Sequence, residues 1–130
     1  MRVELYWNVN LNKYSVRALE GEHKGKVFTH TRHAQITNGK FVVRSSGQNL
    51  VRKSGQKNVH AFIRGYLNVD EWHINYAKKM LWRRVRYNPY RDDFFMVQKF
   101  SDPTVYKEVD KDAYYAVRLE THEDKPRIYI

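Results

Sequence analysis

Cysteine is absent from this chain. That removes disulfides and thiolate metal sites and suits a reducing compartment. No apolar run approaches the ~20 residues that a membrane-crossing helix needs, and Met1-Arg2-Val3-Glu4 does not open like a secretory leader. Acidic side chains are missing too, though only locally. Residues 23–69 contain no Asp or Glu but nine Lys or Arg, and so carry nearly all of the net +10. A surface evolved only for solubility intersperses the two signs. A carboxylate-free third of the chain points instead to an anionic partner, most simply a phosphate backbone.

Large side chains are plentiful. With 42% hydrophobic and 15% aromatic residues, the chain can build one core, which excludes wholesale disorder. Its 130 residues then make a single domain, 1–130. Arg2 to Val9 alternates apolar and polar residues, as a half-buried strand does. The asparagines at 8, 10 and 12 mark a turn, and Tyr14 to Leu19 returns as the second arm of a hairpin. Val27 to Ile36 alternates again. Asn38-Gly39 is the signal for a tight connection into Phe41-Val42-Val43, predicting a second hairpin over 26–46. Val59 to Leu67 reads as a strand. Asp70 can cap a helix over Glu71 to Leu81, where Trp72, Tyr76 and Met80 share one face. Short strands follow near Val85, Phe94–Phe100, Val105–Val109 and Tyr114–Leu119, with a last edge strand at Arg127–Ile130.

The expected fold is therefore mainly β with one helix near 70–82. It is built as two small antiparallel meander sheets or a compact barrel. The halves 1–68 and 84–130 also look alike. Val3–Val16 and Val85–Val97 share a strand, an Asn-containing turn and an aromatic return, and Val27-Phe28 matches Val105-Tyr106. The two would be β-meander halves joined by the helical segment.

Three stretches, LYWNVNLNKYSVRA at the start, QKNVHAFIRGYL at Gln56–Leu67 and RVRYNPYRDDFF at Arg84–Phe95, occur in an order that resembles a group of small uncharacterised proteins encoded by tailed bacteriophages. The resemblance implies a phage product acting in the cytoplasm of the bacterial host. It carries no functional residues with it.

The candidate site comes from the residues themselves. Between two apolar segments lies a loop of small and cationic side chains. Arg44, Arg52, Lys53, Lys57 and Arg64 would supply charge, and Ser45, Ser46, Gly47 and Gly55 would allow close backbone approach to phosphate. It is not a Walker A loop, because no Gly-Lys-Ser/Thr follows the glycines. Lys78, Lys79, Arg83, Arg84 and Arg86 form a secondary basic patch. Tyr6, Tyr14, Phe28 and Tyr66 are the aromatics placed to stack on bases. His30 and His60 are the pair to test for metal-free ribonuclease chemistry. Glu123-Asp124-Lys125, with Asp102 or Asp112, only loosely imitates a metal nuclease, and no metal or cofactor is expected. The expected function is non-enzymatic binding of nucleic acid or a phosphate-rich ligand. The alternative is an anti-defence protein that inhibits a host immune complex or sequesters a nucleotide signal.

Overall fold

The computed structural model describes residues 1–44, 59–67, 82–88 and 95–130. Ten strands make up these segments: β1 Arg2–Asn8, β2 Lys13–Ala18, β3 Val27–Thr31, β4 Ala34–Val43, β5 Ala61–Leu67, β6 Arg84–Arg86, β7 Met96–Gln98, β8 Tyr106–Glu108, β9 Tyr115–His122 and β10 Lys125–Tyr129. All pair antiparallel in one sheet, in the order β3-β2-β1-β5-β4-β9-β10-β6-β7-β8. One open sheet thus replaces the two expected sheets or barrel. No helix occurs among the described residues, and the helix expected near 70–82 falls almost wholly outside them.

Alternation decides which side chains enter the core. Val3, Leu5 and Trp7 of β1 point inward, as do Tyr14 and Val16 of β2 and Ile63 of β5, all buried. The sheet curls until its two halves meet over these residues. The Tyr14 hydroxyl on β2 donates to the Glu120 carbonyl oxygen on β9 at 2.7 Å. The Tyr87 hydroxyl after β6 donates to the Ala61 carbonyl oxygen on β5 at 3.1 Å and accepts from the Trp7 N–H at the same distance. Phe41 and Phe95 close the gap with ring centroids 4.7 Å apart.

The strand order reads the same from either end. Strands 3-2-1-5-4 of the first half mirror β8-β7-β6-β10-β9 of the second. Register repeats as well. Arg2 and Val3 face Tyr66 and Gly65, while Arg84 and Val85 face Tyr129 and Ile128. At the junction Ile36 lies directly opposite Val117, where a local twofold axis would pass.

Two expectations about connections are corrected. Asn38-Gly39 makes no hairpin. β4 runs through it from Ala34 to Val43, and the pairing slips there against both β5 and β9. Asn38 has φ 48°, so the left-handed conformation that Asn-Gly favours serves a bulge rather than a turn. β3 pairs with β2, not with β4. The last strand is also no edge: β10 lies between β9 and β6. Its connection to β9 is a tight turn in which Glu123 and Asp124 both take positive φ, 50° and 60°, the geometry of a type I′ hairpin.

Candidate anion-binding site

On the outer face of the sheet, successive strands place charged residues side by side. Arg17 on β2 faces Glu4 on β1, Glu4 faces Arg64 on β5, and Arg64 faces Lys40 on β4. Glu4 is fully buried and accepts from three guanidinium groups. Arg64 gives Nε and Nη2 to Oε2 at 3.2 and 2.7 Å; Arg44 and Arg17 bond Oε1, Arg17 at 3.4 Å. A buried carboxylate is costly unless paired and hydrogen-bonded, and here the pairing is threefold. Arg44 also lies over the Phe62 ring, 4.3 Å from its centroid, and Phe62 meets Tyr6 edge-on. One negative charge therefore fixes three positive ones and leaves the group cationic.

Beside this cluster the outer face sinks into a cleft of about 530 Å³, lined by Arg2, Asn38, Lys40, Arg64, Gly65, Tyr66 and Tyr114. Among the described residues the lining includes no Asp or Glu. Four strand segments, distant in sequence, supply it. Arg2 faces Tyr66 across β1 and β5, one row along from Arg64 and Lys40. The bulge at Asn38 and Gly39 brings Asn38 to the rim. Tyr114, just before β9, has the Lys40 ammonium 5.7 Å from its ring centroid. Gly65 is required by close approach: a Cβ there would lie 2.8 Å from the Thr37 carbonyl oxygen and collide with Ile36. The volume is that of a small-ligand site, and its wall is basic and aromatic.

Of the predicted phosphate ligands, Arg64 lines the cleft and Arg44 reaches the same carboxylate. Ser45, Ser46, Gly47, Arg52, Lys53, Gly55 and Lys57 lie outside the described residues, as do Lys78 and Lys79. Arg83, Arg84 and Arg86 belong to the other half, four strands along from β5. There Arg83 lies over the Phe100 ring and Arg86 over Tyr106, at 4.2 and 3.9 Å. Among the predicted stacking residues, Tyr66 is exposed in the cleft, Tyr14 is core, Tyr6 packs on Phe62, and Phe28 sits on outer strand β3.

His30 and His60 are not brought together. His30 on β3 meets the Ser15 hydroxyl through Nδ1 at 3.1 Å, whereas His60 is buried at the start of β5. β2 and β1 lie between them, so three strand spacings, roughly 14 Å, separate their backbones. The five cleft residues that sequence reading passed over are Arg2, Asn38, Lys40, Gly65 and Tyr114. Lys40 belonged to the acid-free window, but nothing local linked it to Arg2 or Tyr114.

A family model described as Mycobacterium phage L5 gene 82 protein matches residues 1–110. The gene 82 protein of Mycobacterium phage L5 is 37% identical over 83 residues, 64% of this chain and 62% of the relative. The aligned stretch thus spans less than two thirds of that relative's length. No solved structure matches. The matched span takes in β1 to β8, including most of the cleft, and the chain belongs to the family of the mycobacteriophage L5 gene 82 protein.

Proposed function

We propose that this protein is a non-enzymatic, phage-encoded binder of nucleic acid or another phosphate-rich ligand, acting through the outer face of β1, β5 and β4 in the cytoplasm of the infected bacterium. One observation carries the reading: Arg2, Lys40 and Arg64 converge on a cleft whose described lining includes no carboxylate. Guanidinium and ammonium groups gathered beside aromatic rings suit the oxygens of a phosphate. The carboxylate-free window 23–69 supplies Lys40, Arg44 and Arg64, so the charge asymmetry of the sequence and the cleft coincide.

The test is a titration of the whole chain with labelled mixed-sequence oligonucleotides at several salt concentrations. If each of the three cations releases one counterion, log affinity falls against log salt with a slope of about −2 on a single strand and about −3 on a duplex. Affinity that ignores salt, or no binding in dilute buffer, overturns the reading.

A further inference from the structure

Two features of the cleft go beyond charge. Tyr66 and Tyr114 both line it, and both are open to solvent, at 45% and 66%. In a small sheet large rings are needed inside, and Tyr14 and Trp7 serve there. Tyr66 and Tyr114 contribute little to that core. They stand in a concavity whose other side chains, among the described residues, are Arg2, Lys40, Arg64 and Asn38.

We propose that the cleft is a stacking site for single-stranded nucleic acid. An unpaired base lies against the Tyr66 and Tyr114 rings, and the adjoining phosphates sit on Arg2, Lys40 and Arg64. The proposal rests on the polyanion reading above and narrows it to strands whose bases are free.

Geometry supports the combination. Arg64 and Tyr66 are two residues apart on β5 and emerge on one face, about 7 Å apart along the strand. Charge is thus set beside the ring rather than across it. Arg2 faces Tyr66 on the next strand and Lys40 faces Arg64 on the other side, so cations flank the ring from both neighbouring strands. The groups are held before any ligand arrives: Glu4 fixes the Arg64 guanidinium, and the Lys40 ammonium rests near the Tyr114 ring. Preorganisation lowers the ordering cost of binding. Asn38 adds an amide that both donates and accepts, suited to the hydrogen-bonding edge of an unpaired base. A duplex keeps its bases stacked and paired, so it offers this cleft phosphates but no ring. Stacking on aromatic side chains is how single strands are held without regard to sequence.

The experiment compares three probes on the full chain: a mixed-sequence single-stranded oligonucleotide, the duplex of that sequence, and a nucleoside monophosphate. The single strand is expected to bind most tightly. The Tyr66→Ala/Tyr114→Ala variant should lose about ten- to hundredfold on the single strand, with its salt slope unchanged. Tyr66→Phe/Tyr114→Phe, which keeps the rings, should bind as the parent does. Lys40→Ala should weaken single strand and duplex alike and reduce the slope by about 1. Equal affinity for duplex and single strand, with full affinity in the alanine variant, overturns the inference and leaves polyanion binding standing. A mononucleotide bound as tightly as the strand overturns it in favour of a free nucleotide. Absence of binding to all three in dilute buffer removes the polyanion reading itself.

Discussion

Glu4 and Arg64 face each other across β1 and β5, and Arg64 delivers both Nε and Nη2 to the single oxygen Oε2. This pair joins the scaffold to the site, because the carboxylate is buried while the guanidinium lines the cleft. Replacing Glu4 by Gln leaves three guanidinium groups gathered around a neutral amide. The three guanidinium groups are partly exposed, so losing the carboxylate charge costs about 1.5–3 kcal/mol, less than breaking a wholly buried pair. The urea midpoint of Glu4→Gln should fall accordingly, and by more than that of Arg17→Ala, which removes the most distant of the three partners.

Gly65→Ala tests the close approach of β5 to the bulge. The added methyl meets the Thr37 carbonyl oxygen and the Ile36 side chain. Overpacking of this kind costs about 1–3 kcal/mol. Because the strain falls on the bulge that carries Asn38, ligand affinity should drop further than stability alone accounts for. Thermal unfolding and binding, measured on one sample, separate the two effects.

Asn38 occupies the left-handed region, where a side chain branched at Cβ is strained. Asn38→Val should destabilise by about 1–2 kcal/mol, whereas Asn38→Gly should leave the unfolding midpoint nearly unchanged. If both variants unfold alike, the bulge conformation is not the reason for asparagine there.

Tyr14 sets the response to alkali. Burial pushes its hydroxyl well above the ordinary tyrosine value, with Tyr87 adding to the shift. Below about pH 10 its contribution to stability is complete. Above that, the unfolded chain releases this proton while the folded chain retains it, so stability falls as pH rises toward the folded value. In Tyr14→Phe this component is gone. The curve of stability against pH should be flatter above about pH 10, at a cost of about 1 kcal/mol for the lost hydrogen bond.

Strands were legible wherever one face is buried, since Val3, Leu5 and Trp7 alternate with Glu4 and Tyr6 and so declare their period. The first hairpin was legible for the same reason, with Asn8 accepting from the N–H groups of Asn10 and Leu11 at its turn. Asn38-Gly39 misled because the dipeptide specifies a backbone angle and not the use made of it; a bulge and a hairpin both need positive φ. The place of β10 was hidden because strand neighbours are set by long-range pairing, and a chain end is not a sheet edge. The burial of Glu4 was hidden too. Its alternation puts it on the outer face, and only Arg17, Arg44 and Arg64, far along the chain, make that face a place for a carboxylate. Charge counting found Arg64 and could not find its companions, which reach the cleft through cross-strand register alone.

The mirrored strand order gives the molecule one frame built twice, with Ile36 meeting Val117 at the centre. The decoration differs between the copies. Where the first carries Glu4 next to Val3, the second carries Arg86 next to Val85, stacked on Tyr106. The exterior thus holds arginines tied to a buried carboxylate in one half and an arginine stacked on a tyrosine in the other. A nearly palindromic scaffold has thereby acquired a head and a tail, because equivalent positions in its two halves present different chemistry.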